Sequence, residues 1–374
     1  MKDLVTKLKT PANRRSFIKK GILAGTATVG AGLLASSSAS AQTIVSAPTA
    51  GDIAILKFLA AAELIEADLW QQYAELGGLT PGQEPVETDT SFTPMNSYQA
   101  AFMNLDPDGP QYISSNTLDE QSHATFLNAY LQSIGTPPVN LDQFRTLPSS
   151  QADGAQNIGR LTNLTNLTVD TSWYTRYRST TNPDFGATYQ QAINLVNVPA
   201  IPRTNADFGL ANIQAIANIA AFHFGFIEQA GSSLYATLSQ QVSSKEVLKI
   251  TLSIGGDELL HFLEWVDFAG NSVQPTVAPL AAANGLPAFP NFDETVNPLL
   301  QTNLIFPVPC EFISPSLPKC AVIRPTSPGQ LDAVGAINGF IADGLFIGQS
   351  PEFLQLIVAL AIEADAAGAG RIRR

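Results

Sequence analysis

Histidine, cysteine and basic residues are scarce in this chain of 374 residues: it has three His, two Cys, and 20 Lys and Arg against 32 Asp and Glu. So few basic residues exclude the positively charged face that a nucleic-acid partner requires. The two cysteines, Cys310 and Cys320, form no C-x-x-C pair, so there is no sign of a cysteine-bound iron domain. No stretch beyond the N-terminal region approaches the roughly twenty consecutive apolar residues that span a bilayer. Charged residues make up 14% of the chain and hydrophobic ones 45%, so much of it is expected in an interior or an interface.

Two of the three histidines nevertheless fall in one repeated phrase. Asp119-Glu120-Gln121-Ser122-His123 and Asp257-Glu258-Leu259-Leu260-His261 both read D-E-x-x-H. At average usage, chance places an Asp-Glu pair at those positions before a given His about once in several hundred trials. On a helix, residues three apart project from one face about a turn apart, so the Glu and His of each phrase can bind the same metal ion. Two such phrases suggest a two-metal site to which two further helices add one Glu each.

Each added glutamate should lie on a helix preceding its phrase. Upstream of the second phrase, Glu228 stands in an apolar segment with Tyr235 seven residues on. Upstream of the first, Glu63 and Glu66 compete. Superposing the halves favours Glu63, because Glu63 to Trp70 repeats the interval Glu228 to Tyr235, whereas Gly231 is the counterpart of Glu66. Glu66 is kept as a neighbour, and Trp70 and Tyr235 are expected to fill the core.

The pattern E…E-x-x-H…E…E-x-x-H resembles the ferritin-like di-metal carboxylate proteins. More narrowly, L-x-E-A-x-x-W after Glu63 and E-x-x-G-x-x-x-Y from Glu228 are similar to the ferritin-like domain of exported bacterial proteins and plant desiccation-related proteins. The resemblance covers roughly residues 50 to 270. It implies a mainly α fold, a ferritin-like four-helix bundle with one long crossover, and a site for two divalent metal ions, iron first and manganese second.

In the ligand set that the resemblance implies, Glu63 and Glu228 are terminal, Glu120 and Glu258 bridge, and His123 and His261 bind one metal each. Asp119 and Asp257 would each hold the outer N–H of a histidine on the partner helix. The implied activity is oxidase, ferroxidase or peroxidase chemistry with O2 or H2O2 and an electron donor that the sequence does not reveal. The alternative is a non-catalytic envelope protein of stress or desiccation that uses the metal pair as a structural clamp.

Taken in order, the chain opens with Asn13-Arg14-Arg15-Ser16-Phe17, an uncharged stretch and Ala39-Ser40-Ala41, which read as a twin-arginine signal peptide over residues 1–41 and place the protein in the periplasm or outside the cell. Removing it takes seven basic residues and one acidic one, leaving 13 and 31 and a formal charge of −18. Residues 42–270 form the expected bundle. Its helices should run from Asp52, as N-cap, to Leu76; from Ser115 to Gly135; from Asp207 to Gln240; and from a capping box at Ser243–Glu246 to Gly270.

Residues 77–112 read as a loop, and 136–205 as the crossover, strand-like near Thr165–Tyr174. Gly255-Gly256, inside the fourth helix, suggests a close helix contact or a bulge. His223, five residues before Glu228, is expected to be an ordinary packed or hydrogen-bonded histidine. Residues 271–374 form the extension, Pro-rich to about 328 and helical over Gln330–Asp343 and Ser350–Ala367. The last helix is expected to cover the bundle or a homo-oligomer interface. Cys310 and Cys320 are expected to form a disulfide.

Overall fold

A computed structural model of the protein describes residues 47–80, 83, 92–174, 191–209, 212–272, 281–289, 314–320 and 332–369. The twin-arginine segment, Cys310 and most of the Pro-rich stretch lie outside the described residues, and with them the signal and disulfide expectations. The protein is mainly helical. Four long helices dominate it: α1 (Ala50–Gly77), α3 (Gly109–Ser133), α5 (Ile213–Ser239) and α6 (Lys245–Ser272). Helix α1 pairs with α3, and α5 with α6.

Thr49, not Asp52, is the N-cap of α1. The Thr49 hydroxyl accepts the Asp52 N–H while the Asp52 carboxylate accepts the Thr49 N–H, a capping box that satisfies two orphan donors. Asp52 also accepts the N–H and the hydroxyl of Ser243, at 2.6 and 2.5 Å, which ties the start of α1 to the residue pair before α6. Burial pushes the Asp52 carboxyl up, and the Ser243 and Thr49 hydrogen bonds outweigh it, so that its pKa is lowered. With Ser243 so engaged, Ser244 caps α6, accepting the Glu246 N–H at 3.2 Å.

The stretch expected to be loop contains a short helix, α2 (Ser97–Leu105), capped by Asn96. Helix α3 begins before Ser115, with Pro110 in its first turn, where a missing N–H costs nothing. The expected third helix is split, because Thr204 caps a single turn, α4 (Asn205–Phe208), which Gly209 closes before α5 begins. Almost every residue of α5 is buried, in keeping with a sequence that is apolar all round.

The crossover is pinned rather than free. Asp68 of α1 accepts the N–H groups of Leu161 and Thr162 and pairs with Arg145 at 2.6 Å, while Glu75 pairs with the buried Arg160 at 2.5 Å. Two strands, β1 (Leu167–Val169) and β2 (Leu195–Val198), pair antiparallel within it. Near the C-terminus, α7 (Ala333–Asp343) and α8 (Pro351–Ala369) pack on each other, and α8 lies along α1, with Ala367 against Gly51. The described part of the last helix therefore covers the molecule's own core. No described helix is long and apolar enough to cross a membrane.

Candidate metal centre

Each long helix delivers its acidic or imidazole side chain from an apolar face. Glu63 sits on α1 among Leu56, Leu59, Ala60 and Trp70; Glu120 and His123 sit on α3, Glu228 on α5, and Glu258 and His261 on α6. All six are buried. The structure brings them together in two groups whose ligand atoms lie within 4.8 Å of one another: Glu63, Glu120, His123 and Glu258 in one, and Glu120, Glu228 and His261 in the other.

Glu120 belongs to both. Its Oε2 lies 3.5 Å from His123 Nδ1 and its Oε1 lies 3.1 Å from His261 Nδ1. The terminal carboxylates follow, with Glu63 3.3 Å from His123 Nδ1 and Glu228 3.3 Å from His261 Nδ1. Glu258, assigned above to both metals, reaches only the first group, 3.6 Å from His123. Its other oxygen occupies the space where a side chain on Gly231 would begin, 1.9 Å from an ideal Cβ, so α5 must carry glycine there.

Both histidines turn Nδ1 inward because their outer nitrogens are engaged. His123 Nε2 lies 3.1 Å from Asp257, and His261 Nε2 lies 3.4 Å from Asp119, so each aspartate serves the ring of the opposite helix. His261 gains a second outer partner in Asn116, whose amide, oriented by its neighbours, accepts from Nε2 at 2.8 Å and donates to Glu264 at 3.1 Å.

Inside the cluster, Glu63 Oε2, both oxygens of Glu120, Glu228 and Glu258, and both Nδ1 atoms are buried without a hydrogen-bond partner. That is many orphaned polar atoms for one small volume, since buried polar groups are nearly always satisfied. The electrostatics agree. Burial, reinforced by Glu120, pushes the Glu63 carboxyl up to about 8, burial pushes Glu228 up to about 7, and Glu258 goes well above the ordinary range. Burial alone would raise Glu120 as well, but the approach of His123 and His261 outweighs it and holds that carboxyl at about 2. Burial opposes charge on His123, yet Glu120 and Glu63 raise it to about 11. Without a cation, the cluster can hold itself together only by taking up protons. Oxygen-rich donors with two imidazoles suit iron, manganese or zinc, and the residues present can hold metal.

Two side chains matter more than the sequence suggested. Glu66 is buried one turn beyond Glu63, and burial, followed by Glu120 and Glu63, raises its carboxyl well above the usual value. The Tyr235 hydroxyl donates to Glu63 Oε1 and is more than core filling; the seven-residue interval from Glu228 could have signalled this. Its counterpart Trp70 stacks on Phe224, with centroids 4.7 Å apart, in an aromatic layer with Tyr73 and Trp265. His223 takes no part in the cluster; it is buried between the Tyr73 hydroxyl at 2.8 Å and Asp343 at 2.9 Å.

No protein-family model, curated protein or solved structure matches this chain.

Proposed function

We propose that α1, α3, α5 and α6 form a ferritin-like four-helix bundle holding a dinuclear iron or manganese centre, and that the protein, exported by the twin-arginine route, carries out oxygen- or peroxide-linked redox chemistry. The observation that carries this reading is the pair of Glu and His sets sharing Glu120, with nine inward-facing donor atoms left without hydrogen bonds. Glu63, His123 and Glu258 would hold one metal, Glu228 and His261 the other, and Glu120 both. Two divalent cations would offset the four ligand carboxylates, whose burial without them costs several kcal/mol per charge.

When bound, such a metal pair supplies electrons in single steps and a place for oxygen or peroxide to coordinate. The protein's part lies in its own side chains. Asp257 and Asp119 fix the histidine rings. The Tyr235 hydroxyl holds one oxygen of Glu63, and Glu66 keeps a proton on its carboxyl beside Glu120 at neutral pH. The layer of Trp70, Phe224 and Trp265 excludes water from one side of the cluster.

Metal identity and stoichiometry in the purified full chain test the reading, followed by peroxide turnover in the metal-loaded protein. About two metals per chain are expected, with a large loss in His261→Ala, as for removal of a direct ligand. A bound pair without turnover would favour the structural clamp. Absence of metal would sink both.

A further inference from the structure

Gly255 and Gly256 interrupt α6 immediately before its D-E-x-x-H phrase, and only one of them has a packing reason. A Cβ on Gly255 would lie 2.6 Å from that of Tyr235, so the close approach of α5 requires glycine there. A Cβ on Gly256 would meet nothing within 4 Å. Glycine in a helix interior costs about 1 kcal/mol relative to alanine, and here no contact within the molecule repays it. The space that Gly256 leaves open belongs to a groove of about 620 Å³ between α3 and α6.

His123 and Asp257 line this groove, with Phe126, Ile254 and Leu260 as its apolar walls. Phe126 and Leu260 are 51% and 64% exposed, an unusual use of large apolar side chains beside a buried polar cluster. No Lys or Arg is among the lining residues, and the one charged side chain is the Asp257 carboxylate, so the groove disfavours anions. A hydrated metal ion has no use for apolar walls. The size lies within the range of small-molecule sites, and the chemistry fits a neutral molecule with a flat apolar body and a hydroxyl. Asp257 Oδ2 already serves His123, and a carboxylate has lone pairs to spare for a further donor.

We propose that the groove over His123 binds a neutral hydroquinone, the organic electron donor of the centre proposed above; the donor role rests on that reading, and the binding does not. The reaction balances as one hydroquinone and one hydrogen peroxide giving one quinone and two waters. Two O–H bonds of the hydroquinone break and release two electrons and two protons, and the O–O bond of peroxide takes them up.

The test is calorimetric titration of the full chain, metal-free and metal-loaded, with methylhydroquinone and with benzoate as an anion of similar size. Saturable hydroquinone binding is expected, with benzoate at least about tenfold weaker. Gly256→Leu should weaken hydroquinone binding at least about tenfold by filling the groove, while Gly256→Ala should stay within about threefold of wild type. Both should melt no lower than wild type, since each removes a helical glycine. Equal binding in Gly256→Leu, no saturable binding, or a dimer that Gly256→Leu dissociates would each overturn the proposal. Hydroquinone binding without peroxide-dependent oxidation would instead defeat the redox reading and leave the site standing. Peroxide-dependent hydroquinone oxidation unaffected by Gly256→Leu would leave the redox reading standing and defeat the site.

Discussion

The two halves of the centre are built on one plan and finished differently. Glu63, Glu120 and His123 in the first half answer to Glu228, Glu258 and His261 in the second, and the reciprocal aspartates keep the symmetry. One turn beyond the terminal ligand the first half has the buried Glu66 where the second has Gly231, whose missing side chain makes room for Glu258. Outside the histidines the difference reverses. Over His123 lies an apolar groove opened by Gly256, whereas its counterpart Leu118 is a full side chain, and His261 is covered by the polar pair Asn116 and Glu264. The ligand plan is thus repeated while acidity and access are divided, one side open and apolar, the other closed and hydrogen-bonded.

The largest effect expected of any single substitution follows from Glu120, the one carboxylate common to both groups. Glu120→Ala should lower metal content from about two to less than one per chain, while Glu228→Ala should empty one position and leave roughly one. Elemental analysis after dialysis separates these outcomes. Equal losses in the two variants would break the idea that Glu120 alone spans the halves.

The metal-free protein should next show a distinctive dependence on pH. Glu63 and Glu228 are raised to about 8 and about 7 from 4.5. The folded state therefore binds protons more tightly than the unfolded one, and the stability this contributes is fully present below about pH 4.5. It is lost as pH rises through 7 to 8. His123, raised to about 11 from 6.5, adds a loss of the same sign at higher pH. Glu120, held at about 2, works the other way and loses its contribution only as pH falls from 4.5 towards 2. From pH 5 to pH 9 the melting midpoint of the metal-free chain should fall by about 5 °C or more, and loading with metal should flatten the slope. Calorimetric melts across that interval decide the matter.

How far this was legible in the sequence depends on the kind of signal. The six clustered residues came from spacing and from an interval repeated between halves, which survive because helical geometry fixes which side chains share a face. The four long helices were visible for the same reason, with boundaries displaced where local hydrogen bonds decided: Thr49 took the cap from Asp52, and Asp52 took Ser243 away from α6. Helix α2 was hidden among Thr, Asn and Asp, its cap Asn96 being as ordinary in a loop as at a helix start. That Glu258 reaches only one group was not readable at all, because it depends on the space left by a glycine on another helix.

The glycines offer a sharper test of the division. Gly231→Ala would place a methyl group on the Glu258 carboxylate, so it should cost about 1–3 kcal/mol of stability in the metal-loaded protein and weaken metal binding about tenfold. Gly256→Ala should cost nothing and gain up to about 1 kcal/mol. Denaturant melts with and without metal check both. If the two substitutions behave alike, the structural contrast between the helices carries no energy.

The smallest expected effect concerns the aspartates outside the rings. Removing a partner that orients a ligating histidine typically costs 10- to 100-fold in metal affinity. The low end is expected here, because the Asp257 and Asp119 side chains are 36% and 48% exposed and water can replace part of what they do. The two should not be equal. His123 has only Asp257 among the printed partners of its outer nitrogen, whereas His261 has Asn116 as well as Asp119. Asp257 also lies 3.8 Å from His261 Nε2, so it bears on both rings. Asp257→Asn should therefore weaken metal binding about tenfold, and Asp119→Asn by less, as read by competition against a chelator of known affinity. The reverse order would mean that the polar cover of Asn116 and Glu264 does not support His261, and that the closed side of the centre is held by something else.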